Sequence, residues 1–418
     1  MCGAKVQGGT KARLPNKIDS LIERISVEAG GLTIAQGFPS YNLVKHVKSI
    51  LTEPLCKSQT LETAMNHENI PRKRRDVNGF HIDTTEDYST ETTFAVSEFL
   101  GFLGECYPQV IDTALLPNLV LKIHLAPNLV CPNSAGTTIV GSTSSFGASG
   151  SGTVYYTLNK VHLLTTVYGV MDGNYDRMVE SKIVNEGFLE VPFKNYQTFT
   201  DGQHSGSSRF NLGCASLDKL YAVWRAHDYA SAGVHPVLLE GMKQVPLDSS
   251  GNLVDGKLGF VGDSATATTT TVDVAQTYGA PDFEAPEFNG EKYQANYFHF
   301  PKPVGLTTAQ FNINGTLYPQ FQAEPGDWLA LTTEAMEHKD NQIKSRLWWT
   351  SNMHIYAVRL NLPESHKLRI LSGLNTQSIN LSGMFNSTGI SSPVPLTIIA
   401  EYTSTLRIGS GLQISLVI

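Results

Sequence analysis

Charge is scarce in this 418-residue chain. Only 17% of its residues are Asp, Glu, Lys or Arg, and the formal balance is −7. A protein that wraps nucleic acid needs clustered Lys and Arg to neutralise phosphates, so direct neutralisation of a genome is not expected here. The one dense basic run is Arg72-Lys73-Arg74-Arg75. It fits a nuclear import signal or a nucleic-acid contact, and it fits a solvated loop after Pro71; the loop is the favoured reading. Cysteine is also sparse. Cys2, Cys56, Cys106, Cys131 and Cys214 are odd in number and no two stand in a CxxC pair, which argues against a disulfide scaffold and a structural zinc site. Assembly in a reducing compartment is expected. No apolar run reaches the roughly 20 residues needed to span a bilayer. The first residues, MCGAKVQGGTKARLPNK, contain no apolar core of a signal peptide, and Met1-Cys2-Gly3 does not fit the myristoylation pattern. The sequons at Asn314, Asn380 and Asn386 are accordingly taken as chance.

The motifs of common chemistries are missing as well. There is no HExxH, P-loop or GxSxG. Gly213-Cys214-Ala215-Ser216 has the look of a nucleophile turn, but it lies between two expected strands and reads better as a buried structural cysteine. Asp172-Gly-Asn174-Tyr-Asp176 begins like a calcium loop. Arg177 then stands where the turn needs Gly and Ile183 where a bidentate Glu is needed, so an Asx-rich turn is preferred. Trp348-Trp349 could form a sugar platform, or core and rim aromatics. No catalytic residue, cofactor site or metal site is assigned, and no enzymatic activity is expected.

What is present is mostly β pattern. Apolar residues make up 41% of the chain, enough for a substantial core. Near the N-terminus the spacing predicts two helices. Asn16 would cap one with Ile18, Leu21, Ile22 and Ile25 on a face, ended by Gly30-Gly31; a short strand follows at 32–36. Ser40 would cap the other, with Val44, Val47 and Leu51 aligned; packing on its own domain is preferred to docking on a membrane or partner. Residues 58–92 are polar, and 132–152 read as a long surface loop. Short strands are expected at 118–125, 154–158, 163–168, 187–192, 209–212 and 217–224. After an excursion at 227–299 they resume at 309–313, 328–331, 353–360, 379–382, 396–402 and 412–418. Such a series implies sandwiches or barrels, here two β modules: residues 1–226 with the helices, the connector 227–299, and residues 300–418. The final run, LQISLVI, alternates to its last residue and is expected to be a strand held in a sheet; deleting it should prevent folding or assembly.

Four stretches in order resemble the double jelly-roll major capsid proteins of DNA viruses, the lineage of the nucleocytoplasmic large DNA viruses, virophages and polinton-like viruses. They are Phe94–Pro127; Val154–Phe199 with RFNLGCASLDKLYAVW at 209–224; AQFNINGTLYPQFQAEPGDWLA at 309–330, with its Asn314-Gly315; and residues 355–418. The last carries Tyr356, Pro363, Glu364, Ser372, Gly373 and Asn375, then Tyr402, Gly409 and Gly411. The run HKLRILSG replaces a fuller Pro-Ser-Gly run, and the first 90 residues do not match the large-virus members. A small-virus member is the better fit. The resemblance implies an all-β double jelly roll, two eight-stranded antiparallel sandwiches side by side, after a short helical N-terminal segment. It implies a structural subunit of the virion, a homotrimer of pseudo-hexameric outline that tiles an icosahedral shell. The partners implied are neighbouring capsomers, penton and minor capsid proteins and an internal membrane in some relatives, with no sequence-specific nucleic-acid binding. The loops at 132–152 and 245–290 would form towers outside. A jelly-roll carbohydrate-binding or glycan-active protein is the alternative, with Glu180, Glu186 and Glu190 as its only suggestive acids. A spike or penton-type protein is a third reading, disfavoured by the second β module.

Overall fold

The computed structural model describes residues 2–7, 18–35, 39–52, 92–96, 98–108, 110–116, 118–130, 155–170, 173–224, 243–244, 259–260, 300, 303, 305–335, 354–362, 371–377, 383–390 and 393–418. The basic run at 72–75, Trp348-Trp349, the loop at 132–152 and nearly all of 227–299 lie outside the described residues. So do Asn16, the strand expected at 379–382, and Pro363 and Glu364.

In chain order the strands are β1 (Cys2–Gln7), β2 (Ile22–Ala29), β3 (Leu32–Ala35), β4 (Thr92–Phe94), β5 (Val120–Leu125), β6 (Tyr155–Asn159), β7 (Phe188–His204), β8 (Ser207–Phe210) and β9 (Leu217–Trp224). They continue with β10 (Lys243–Gln244), β11 (Gly259–Phe260), β12 (Thr308–Ile313), β13 (Thr316–Tyr318), β14 (Ile355–Arg359), β15 (Gly383–Thr388), β16 (Val394–Gly409) and β17 (Ile414–Val417). The helices are α1 (Tyr41–Thr52), α2 (Gly173–Glu186) and α3 (Asp327–Ala335).

The centre is a sandwich. One layer runs β14-β9-β16, with β7 along the other edge of β16, and the facing layer runs β13-β12-β15-β8. All these pairs are antiparallel. Leu220, Ala222, Trp224, Leu396, Ile398 and Ala400 alternate inward from the first layer and meet Phe311, Ile313 and Phe385 from the second. The opposite face of the first layer is buried too. Tyr221, Val223, Ile399 and Ala357 pack against Ile25, Val44 and Val47 of β2 and α1. A sheet covered on both faces must be apolar on both, and β16 is buried at nearly every position from Val394 to Ile408.

This sheet joins strands from both sides of the expected 226/300 boundary. β7 and β9, from the first expected module, flank β16 from the second, and β8 pairs with β15. The two modules therefore share sheets. Sequence pattern fixes which residues are inward but not which strand is the neighbour, and adjacency in sequence was a poor guide here.

Three local expectations are corrected. Residues 18–25 are not a helix: Ile18–Leu21 is one 3-10 turn and Ile22 opens β2. The register of β2 on β5 shifts between Ile22 and Arg24, so an extra residue brings Ile22 and Ile25 onto one face, imitating helical spacing. Gly30 and Gly31 are the turn to β3, with φ of 55° and 82°. Residues 328–331 are helical, in α3. Trp328, Thr332 and Ala335 fall at i, i+4 and i+7 and are buried, Asp327 accepts the Glu324 N–H, and Trp328 Nε1 donates to the Ala309 carbonyl at 3.1 Å. Residues 163–168 are exposed and belong to no strand.

Other expectations meet the structure closely. β9 covers the whole of Leu217–Trp224. Asn314-Gly315 forms the tight β12–β13 turn, with φ of 51° and 84°. α1 packs on its own domain through Val44 and Val47, although Ser40 (φ 63°) meets Val44 N–H with its carbonyl rather than capping with its hydroxyl. The last strand, β17, pairs with β16, with Ile414 and Leu416 partly buried, but it lies at a sheet edge and Ile418 is half exposed. The Ile418 carbonyl accepts the Ala215 N–H at 3.1 Å and a bond from Gln377, which ties the end down.

Candidate functional site

Two buried polar networks and one span of the chain rich in exposed apolar side chains stand out. The first network joins α1 to the central sheet. Lys48 Nζ lies 2.8 Å from Glu105 Oε1 and 3.3 Å from Glu401 Oε2. Tyr196 accepts from Lys48 and donates to Glu105 at 2.7 Å; Tyr221 donates to Glu401 at 2.7 Å. Glu401 is 3% exposed. Burial opposes its charge, but Lys48, Lys219 and Lys194 outweigh burial and hold the carboxyl well below its usual range. Burial likewise opposes charge on Lys48, and Glu105 and Glu401 overcome it, so its pKa lies above the ordinary value. Beside this set, Lys194 pairs with Asp218 at 2.7 Å, and Ser216 links Asp218 (2.8 Å) to the Gly373 N–H (2.9 Å). A Cβ on Gly373 would stand 2.5 Å from the Leu217 carbonyl, which is the physical need for glycine in the Ser372-Gly373 step.

The second network resembles a hydrolytic relay. His204 Nε2 is 2.7 Å from Ser387 Oγ, its Nδ1 is 2.6 Å from Ser208 Oγ, and Ser208 donates to Asp201. Ser387, however, shares the inward face of β15 with Phe385, and the imidazole packs against Trp224 and Phe385. Burial lowers the His204 pKa, only partly offset by Asp201, so the ring is neutral at pH 7. The geometry makes a clamp between the β7–β8 turn and β15, with the serine hydroxyl turned away from substrate.

The residues singled out from sequence do not converge on a reaction centre. Cys214 is fully buried, its N–H bonded to Thr376 Oγ1 at 2.8 Å, and burial pushes its thiol up to about 11. That leaves little thiolate at neutral pH. Residues 173–176 open α2 rather than an Asx turn, with Tyr175 bonded to Asp112 at 3.2 Å. Glu180 and Glu186 lie on α2, Glu186 near Lys182, while Glu190 on β7 pairs with Arg407 at 3.0 Å. Among the described residues no group of three or more His, Cys, Asp or Glu is placed to hold a metal ion. No described helix is long and apolar enough to cross a membrane. Sequence reasoning passed over Lys48, Glu105, Glu401 and His204. A signal for Glu401 existed: a lone carboxylate inside the apolar run PLTIIAEYTSTL implies a buried partner.

Among the described residues, exposed large apolar side chains are concentrated in the sequence span from Tyr107 to Val184. Tyr107, Val110, Leu119, Val120, Ile123, Leu125 and Tyr155 are exposed, and after them Val161, Leu163, Leu164, Val167, Tyr168, Val170, Met178 and Val184. Val167 reaches 85% exposure and Val184 82%. Elsewhere among the described residues exposed large apolar side chains are few: Leu317, Phe321, Leu362, Leu371 and Ile418. Their concentration in one span of the chain makes that span the candidate interaction region.

No family model matches the chain, and neither does any curated protein. Among solved structures it is similar to VP54 of PBCV-1, a crystal structure fitted into a reconstruction of the virophage Sputnik, with 13% identity, 99% of this chain and 88% of that chain covered, and a TM-score of 0.49. It is similar to the Faustovirus major capsid protein, at 12% identity with 97% and 74% covered and a TM-score of 0.47. A third likeness is to the mavirus major capsid protein, at 5% identity with 99% and 82% covered and a TM-score of 0.36.

Proposed function

We propose that the chain is a major capsid protein of the double jelly-roll kind. It acts as a structural subunit that joins two copies of itself in a pseudo-hexameric trimer, and these trimers tile an icosahedral virion shell. The observation that carries this reading is the concentration of exposed large apolar side chains in the sequence span from Tyr107 to Val184. Apolar surface left in water forgoes roughly 25 cal/mol per Å², so this many exposed apolar side chains favour association. Copies of one chain are the simplest partners, and a closed ring satisfies every such surface at once. The ordered sequence stretches from Phe94 to Ile418 support the same reading.

The role is mechanical. The central sheet, packed on both faces and pinned by Lys48 and Glu401, gives a subunit that does not deform when its neighbours pull on it. The acidic balance suits contacts with neighbouring capsomers, penton and minor capsid proteins or an internal membrane better than contact with DNA. The burial of Ser387 and Cys214 supports a role without catalysis. Negative-stain images of the purified chain test the proposal. Particles of hexagonal outline are expected; a field of single subunits at high concentration would overturn it.

A further inference from the structure

We propose that residues 163–170 of one copy add as a strand to the free edge of β5 in a second copy. The inference rests on the self-association proposed above and names its contact. Both halves of the contact are in the structure. The donor segment, LLTTVYGV, is exposed throughout, carries no charged side chain and belongs to no strand or helix. Leu163, Leu164, Val167, Tyr168 and Val170 all stand in water, with Leu164 72% exposed. Thr165, Thr166, Val167, Tyr168 and Val170 are residue types that favour strands. An exposed, apolar, strand-prone segment outside every sheet of the described residues is suited to pair with a free edge.

The acceptor is β5. It closes the sheet β3-β2-β5, and among the described residues no strand lies on its outer side. Exposed edges usually carry charge or irregularity to prevent pairing. β5 instead exposes Val120, Ile123 and Leu125, and its one lysine, Lys122, is engaged by Glu28 at 2.5 Å. Six residues of β5 can be matched by eight of the donor. Strand addition supplies main-chain hydrogen bonds and covers apolar side chains on both partners. The chain's own β5 is not the acceptor in this structure, so the complementary edge comes from another copy. Donor and acceptor are different surfaces, which makes the contact head-to-tail, the type that closes into a ring.

Hydrogen exchange on the full chain, at concentrations below and above assembly, reads both halves. Residues 163–170 and 120–125 should become protected together on assembly. Val167→Pro removes one donor N–H at an exposed position, so the monomer should fold as before while association weakens by about ten-fold or more. Val167→Ser keeps the N–H and should lose less. If the wild type assembles with either segment unprotected, or the proline variant assembles normally, the strand addition is wrong while self-association stands. If the wild type stays monomeric at every concentration, both fall.

Discussion

The central sheet and the region from Tyr107 to Val184 are built from similar residues and end in opposite conditions. Both edges of β16 and both faces of its sheet are occupied, and even the charges, Lys48, Glu401, Lys194 and Asp218, find partners inside. Between Tyr107 and Val184, valines, leucines and tyrosines face water, and one exposed stretch belongs to no strand. Apolar content alone therefore does not define a core. The first region is complete in one chain; the second is, on the proposal above, completed by a partner. Mutations in the first should act on folding, and mutations in the second on association.

The largest effect should come from Lys48→Met. It leaves Glu401 charged and buried without its nearest cation, and loss of one partner of a buried pair costs about 3–5 kcal/mol. Urea unfolding of the monomer measures it; a change below about 1 kcal/mol would mean that the network is solvated. Removing residues 412–418 comes next. It strips the edge strand from Thr405–Ile408 and uncovers Leu406 and Ile408, so the truncated chain should be recovered misfolded or unable to assemble. Gly383→Ala should follow. A Cβ there would lie 2.3 Å from the Phe210 ring, an overpacking that typically costs about 1–3 kcal/mol, readable as a fall in melting temperature.

The pH dependence should separate the regions as well. Glu401 has a lowered pKa in the folded chain, so its contribution is full above the unfolded value of 4.5 and is lost as pH falls towards the folded one. His204 is also lowered, from 6.5, with Asp201 the charged group facing it and Ser208, Ser387, Trp224 and Phe385 its other neighbours. An unfolded chain binds the proton more readily, so stability should begin to fall as pH drops below about 6.5. His204→Gln should flatten that first decline and leave the one below pH 4.5, as thermal melts from pH 8 to 3 would reveal. The smallest effect on folding should be Val184→Asp, within about 0.5 kcal/mol because the side chain is already exposed. Its self-association should weaken nonetheless, and an equally small change in both would remove it from the interface.

Much of the β architecture was legible in the sequence, and the misreadings have specific causes. Leu217–Trp224 reads as a strand because from Leu220 on its alternating positions, Leu220, Ala222 and Trp224 on one face and Tyr221 and Val223 on the other, are all apolar. Ile22 and Ile25 read as helical because a bulge is invisible in a spacing pattern. Trp328 reads as strand from its aromatic and aliphatic neighbours, whereas Asp327 and the turn before it start a helix. The sharing of sheets across residues 226–300 depends on long-range pairing that no local window contains. In the candidate region the sequence predicts a strand over residues 163–168; only the structure shows that no strand among the described residues pairs with them.

The central claim, that this chain is completed by copies of itself, is tested most directly by the native mass of the purified protein across a concentration series. Three chains of 45.6 kDa should sediment together near 137 kDa at high concentration and dissociate on dilution. A single species of 45.6 kDa at every concentration would contradict it.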